Sequence, residues 1–155
     1  MNKKILIMGL PGSGKTTLAR ALALKLKAVH WNADAVRANI NSHLGFSEGD
    51  RIEQARRMGW LCDQVTAAGS WAIADFVCPT PSTRAAFGSA VVIWVDTIKE
   101  GRFEDTNKLF VPPDVYKWRV DTQDCEFWAK AIHEVLDLEA NPNWIKAMLY
   151  GLKNG

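Results

Sequence analysis

The sequence predicts an α/β fold, a parallel sheet of about five strands with helices on both faces. Three observations predict it. Short β-branched runs alternate with segments of helical period along most of the chain, as in βαβ units. The strand-to-helix links are short. The best strand runs, ILIM at 5–8 and AVVIWV at 90–95, are apolar throughout, as in strands buried on both faces. A length of 155 residues is that of one domain, 1–155. Hydrophobic residues at 48% and charged residues at 23% argue against disorder, collagen and coiled coil.

The elements follow in order. Lys3–Met8 is a buried strand, and Gly9–Gly14 a Gly/Pro/Ser turn. Leu18, Ala21, Leu22 and Leu26 lie at helical spacing, so Thr16–Lys27 is a helix. Ala28–Asn32 is a second strand. Asp34–Leu44 is a helix, with a carboxylate near its start. Gly45-Phe46-Ser47 breaks the chain, and Ser47 caps a long helix that runs to about Ala68 and stops at Gly69. Trp71–Val77 is a third strand, which Pro79 and Pro81 end. Ala90–Val95 is the fourth. Residues 97–113 lack a period and read as a loop or reduced lid. Lys117–Val120 is a fifth strand, and Asp124–Leu138 and Pro142–Leu152 are closing helices, with 141–155 a C-terminal helical segment. Ligands of such sheets sit outside the carboxyl ends of the strands.

Charge is unevenly placed. Residues 1–57 carry ten Lys/Arg against four Asp/Glu, and residues 58–155 nine against thirteen. A basic half suits an anionic ligand, although solvated helix faces also account for it. No apolar run approaches the roughly 20 residues of a membrane span. The basic-then-apolar start, ending at Leu10, is too short for a signal peptide, and Gly12-Ser13-Gly14-Lys15 interrupts it. Cys62, Cys78 and Cys125 have no paired spacing, which argues against a disulfide framework or zinc site and for a reducing cytoplasm.

Gly9-Leu10-Pro11-Gly12-Ser13-Gly14-Lys15-Thr16 fits the phosphate-loop pattern G-x-x-x-x-G-K-[ST], between a strand and a helix. Its glycines turn successive backbone N–H groups toward phosphate oxygens, and the next helix aims its positive end there. Lys15 reaches the β- and γ-phosphates, and the Thr16 hydroxyl ligates Mg²⁺. Gly9, Pro11, Gly12, Ser13, Gly14, Lys15, Thr16 and Thr17 are the candidate nucleotide-binding residues, with ATP and Mg²⁺ as cofactors. The fold expected is that of the P-loop NTPases. A guanine-reading N-K-x-D is absent, which excludes a switch GTPase, and the chain is short for a motor or transport ATPase. A small phosphotransferase fits better.

Past the second strand come Asn32-Ala33-Asp34-Ala35-Val36-Arg37, Leu44-Gly45-Phe46-Ser47, Asp50-Arg51, Glu53 and Arg56-Arg57, then Asp75-Phe76-Val77-Cys78-Pro79 with Arg84 beyond. This series resembles the adenylylsulfate (APS) kinase family over about residues 4–84. The resemblance implies transfer of the γ-phosphate of ATP to the 3′-hydroxyl of adenylylsulfate, giving 3′-phosphoadenylylsulfate, a step of sulfate assimilation. It implies that Asp34 organises Mg²⁺ and orients or deprotonates the acceptor hydroxyl, which makes Lys15 and Asp34 the candidate catalytic pair and Thr16 and Asp34 the candidate metal ligands. It implies that Arg37 and Arg51 hold the phosphosulfate, that Phe46 stacks on the adenine and that Val77 lines the pocket. Simpler roles stand beside these: Asp34 as a helix cap, Phe46 as a core anchor, and Arg56 and Arg57 as surface partners of Glu53. His30, His43 and His133 have no ligand spacing and receive no role.

The sequence departs from that family. Asn32 stands for its first acid, Ala33 for a glycine, Cys78 for a serine and Thr80-Pro81 for Tyr-Arg. Asp75 replaces a small residue and is a candidate carboxylate for the metal or the acceptor. The long lid is missing; Arg102, Lys108 and Phe110 are its reduced counterparts. Two other readings stay open: a P-loop kinase acting on a nucleoside, nucleotide, modified base or polynucleotide end, and a non-catalytic nucleotide-binding module. The partners expected are ATP and a small anionic nucleotide-like acceptor, with nucleic acid as the alternative acceptor, no membrane, and a homodimer as one assembly.

Overall fold

Strand β1 (Lys4–Met8) is buried along its whole length because it is the middle strand of the sheet. The computed structural model describes residues 1–154, with β1 followed by α1 (Lys15–Leu26), β2 (Val29–Asn32), α2 (Ala33–Asn39), α3 (Glu48–Ala67), β3 (Ala72–Phe76), α4 (Pro81–Phe87), β4 (Val91–Val95), α5 (Glu104–Leu109), β5 (Trp118–Val120), α6 (Cys125–Ala140) and α7 (Pro142–Asn154). The sheet order is β2-β3-β1-β4-β5, every pair parallel. The α/β architecture expected from the sequence is the one observed.

Side-chain alternation along β1 divides the core in two. Ile5 and Ile7 face α1 and α6, packing with Leu18, Leu22, Ile132 and Leu136. Leu6 and Met8 face the other side, against Val36 of α2, Met58 and Cys62 of α3 and Phe87 of α4. Helices α3 and α4 touch backbone to backbone at Gly59, where a Cβ would lie 2.2 Å from the Phe87 carbonyl oxygen. No helix among the described residues is long and apolar enough to cross a membrane.

Three elements differ from expectation. Helix α2 stops at Asn39, short of Leu44, because the chain turns inward at Asn41, which is buried and bonds Gln54 and Arg57 of α3. Helix α4 was not expected, since Pro81 reads as a strand terminator. In fact Pro81 opens the helix, where its missing N–H costs nothing, and Thr80 and Thr83 form a reciprocal capping box. The aperiodic stretch 97–113 contains the short helix α5. Ser47 caps α3 as expected, accepting from the Asp50 N–H. Residue 155 and the side chains of residues 144 and 145 lie outside the described residues, and so does the packing of that part of the C-terminal run 144–152.

Candidate active site

The loop from Gly9 to Thr16 leaves the carboxyl end of β1 and enters α1. Gly12 and Gly14 hold φ of 85° and 102°, left-handed values that favour glycine and let the intervening amides converge. Gly9 packs under β4, where a Cβ would lie 2.4 Å from the Val95 carbonyl oxygen. Lys15 heads α1 and is only 8% exposed, with Nζ donating to the Leu10 carbonyl at 2.9 Å. Burial pulls its pKa down to about 8; the nearby Asp75 and Asp34 carboxylates oppose that shift, and Arg102 adds to it.

The loop opens onto a cleft of about 640 Å³. Pro11, Gly12, Gly14, Lys15, Thr16 and Thr17 of the loop and helix α1 border it, and so do Asp34, Arg37, Phe46, Arg51 and Val77. Gly9 and Ser13 do not reach this cleft. Ser13 lines a smaller hollow of about 280 Å³, shared with Thr97, Val120 and Gln123, where Thr97 Oγ1 donates to the Ser13 carbonyl at 2.6 Å.

Each simpler role offered for these residues can be checked. The cap of α2 is Asn32, whose Oδ1 accepts from the Ala35 N–H at 3.0 Å. Asp34 is therefore not the cap; it stands exposed in the first turn, at the cleft. Phe46 is 67% exposed and is no core anchor. Two guanidinium groups lie over its ring, Arg37 at 4.5 Å and Arg51 at 5.4 Å from the centroid. Both arginines are braced by the loop they serve. Arg37 Nη1 donates to the carbonyls of Leu44 and Gly45, and Arg51 Nε to that of Phe46. Burial and the charge of Arg51 depress the pKa of Arg37. Among the described residues Arg56 pairs with Glu53 alone, as a surface residue does, whereas Arg57 also donates to Asn41 Oδ1 at 2.8 Å and ties α3 to the α2 turn.

Asp75, the penultimate residue of β3, is 2% exposed and accepts from Thr16 Oγ1 at 2.9 Å and from Asn32 Nδ2 at 3.2 Å. His30, to which the sequence assigned no role, meets the other carboxylate oxygen through Nε2. Local spacing gave no signal for this pair, since 45 residues separate them and only the β2–β3 register brings them together. Of the reduced-lid residues, Arg102 borders the cleft together with Phe103 and Thr106. Lys108 instead pairs with Glu104 on the surface, because both sit one turn apart on α5. Phe110 packs against the core under Arg84.

A family model for adenylylsulphate kinase matches residues 1–99. An adenylyl-sulfate kinase of Gloeothece citriformis is 34% identical over 101 residues, which are 59% of this chain and 57% of that protein. One from Marinobacter nauticus is 42% identical over 81 residues, 49% of this chain and 41% of that protein. The chain thus spans about half the length of these curated relatives. Among solved structures, a Mycobacterium tuberculosis APS kinase in complex with AMPPNP and APS shares the fold, with a TM-score of 0.77 at 20% identity over 88% of this chain and 98% of that one. A shikimate kinase of Aquifex aeolicus shares it more distantly, with a TM-score of 0.59 at 15% identity over 90% of this chain and 98% of that one. The family match covers well over half of the chain and carries both the phosphate loop and the Asp34–Arg51 segment, so the chain belongs to the adenylylsulphate kinase family.

Proposed function

We propose that this protein transfers the γ-phosphate of ATP to the 3′-hydroxyl of adenylylsulfate, giving 3′-phosphoadenylylsulfate. The observation that carries this reading is a single cleft bordered by the phosphate loop, by the Arg37–Phe46–Arg51 cluster and by Asp34, which lies between them in sequence.

On the donor side, the loop amides and the start of α1 receive the phosphate oxygens. An arriving polyphosphate replaces the lost hydration of Lys15 with negative charge, so its ammonium is fully protonated when nucleotide is bound. The Thr16 hydroxyl and the Asp34 carboxylate are hard oxygen donors of the kind Mg²⁺ prefers, and would hold it. When bound, the ion would supply charge neutralisation to the transferring phosphoryl group. On the acceptor side, the Phe46 face stacks on the base and the two guanidinium groups take up the phosphosulfate. The Asp34 carboxylate orients the hydroxyl and accepts its proton as the new oxygen–phosphorus bond forms and the bond from the γ-phosphorus to the β–γ bridging oxygen breaks, releasing ADP. The free thiols of Cys62, Cys78 and Cys125 support a cytoplasmic setting.

One observation favours a second reading. The family match ends at residue 99, and of the lid candidates only Arg102 reaches the cleft. So open a site suits a larger acceptor, such as a polynucleotide end or modified base. Labelled ATP offered with adenylylsulfate, nucleosides and oligonucleotides in parallel separates the two. Label on adenylylsulfate is the expected result, and label only on DNA or RNA would reject the first reading.

A further inference from the structure

Residues 101–111 run from the phosphate loop to the end of β3, and they are pinned at both ends. At the start, Gly101 packs against Pro11, where a Cβ would lie 3.0 Å from the proline ring and its carbonyl oxygen. Asn107 closes that end by bonding both the N–H and the carbonyl of Gly101. At the other end, the Val111 N–H donates to the Pro79 carbonyl at 2.7 Å. Arg84 of α4 makes the second bond there: its Nη2 donates to the Val111 carbonyl, while its guanidinium lies 5.8 Å from the Phe110 ring centroid. Between the two pins, Arg102, Phe103 and Thr106 border the cleft, as do Val77, Pro79 and Thr83 of the stretch that leads into α4.

Stability alone accounts poorly for Arg84. Its Nε–H is buried with no partner among the described residues, and burial depresses the pKa of the guanidinium. A half-buried cation with an unpaired N–H is costly to keep. What it makes in return is a flat stack on Phe110 together with a bond to Val111, a pair of contacts that suits a planar guanidinium and not an ammonium. Its own helix is a firm base. Thr80 and Thr83 cap the start of α4, and Phe87 at its end is pressed against Gly59 of α3.

We infer that Arg84 is a positioning residue for the acceptor: standing on α4, it pins Phe110 and Val111 to the Pro79 turn and so holds Phe103 and Thr106 at the cleft. This rests on the proposed reading, in which the acceptor lies along Val77 and Phe46. Arg84 acts through Phe110 and Val111 and is not itself among the residues that border the cleft.

The test pairs kinetics with hydrogen exchange, on the full chain. Arg84→Ala is expected to raise the KM for adenylylsulfate about 10–100-fold, the scale of a lost positioning contact, while the KM for ATP stays within about threefold of wild type. Arg84→Lys keeps a donor for Val111 without the flat stack and should recover part of the loss. Exchange gives a readout that needs no acceptor: in Arg84→Ala the Val111 amide should exchange about tenfold faster or more, with β3 and α3 unchanged. If circular dichroism shows Arg84→Ala unfolded, Phe110→Ala, which frees the same end and leaves α4 whole, decides by the same two readouts. A wild-type acceptor KM or an unchanged Val111 exchange rate would overturn the inference. So would an equal rise in both KM values, the mark of a merely structural role. If wild type itself phosphorylates no adenylylsulfate, the proposed function falls; exchange then decides alone, a faster Val111 rate upholding the pin and an unchanged one rejecting it.

Discussion

Lys15 is the residue whose environment says most about what it awaits. A buried ammonium that gives up water for one carbonyl contact is costly unless an anion replaces the lost solvation. Its pKa of about 8 lies below the ordinary lysine value, so the charge is present below that pH and is lost as pH rises through it. Binding of AMPPNP by the free protein is therefore expected to weaken from pH 7 to pH 9. In Lys15→Arg, whose guanidinium stays charged, that slope should vanish. A flat wild-type profile, measured by calorimetry, would count against a direct Lys15–phosphate contact. Lys15→Ala should lower turnover by about 100-fold or more, the scale of losing one transition-state donor, with the fold retained. On the acceptor side, Phe46→Ala removes the stack proposed for the acceptor base, a contact of about 1–3 kcal/mol. It should raise the KM for adenylylsulfate about 5- to 150-fold and leave that for ATP unchanged. Equal changes in both would show that the ring serves the loop instead of the acceptor.

Elements were legible where the signal was local. Ser47 stands three residues before Asp50, whose N–H it caps, and the phosphate loop is one contiguous pattern between a strand and a helix. Helix α4 is locally written too, in Thr80-Pro81 and Thr83, but a proline after a strand run reads equally as that strand's end, and here it is the first residue of a helix. The Asp75–His30 pair was not legible, because it exists only in the lateral pairing of β2 with β3. The meeting of α3 with α4 also rests on tertiary geometry. Gly59→Ala places a methyl group 2.2 Å from the Phe87 carbonyl oxygen, so the helices must separate. A cost of about 1–3 kcal/mol is expected, or several degrees in Tm; an unchanged melting curve would show that the contact yields freely.

At the scale of the molecule, a doubly covered parallel sheet brings the ends of β1, β2 and β3 to one rim, and there the phosphate loop and the Asp34–Arg51 segment share one cleft. The fold and the residues at both walls were readable because they lie in the first half of the chain, in contiguous motifs joined by short links. The lid was not: residues 97–113 have no period, and which of their side chains reach the cleft depends on how α5 lies across the phosphate loop. Gly101 packs against Pro11, and Asn107 clamps the Gly101 backbone through both its N–H and its carbonyl, so Arg102 is held at the donor side of the cleft. The measurement that bears most directly on the whole reading is phosphate transfer from γ-labelled ATP to adenylylsulfate, with the product identified by mass and position. Label on the 3′-hydroxyl, lost in both Lys15→Ala and Asp34→Ala, is the expected result. No transfer to adenylylsulfate, or transfer that survives loss of Asp34, would contradict it.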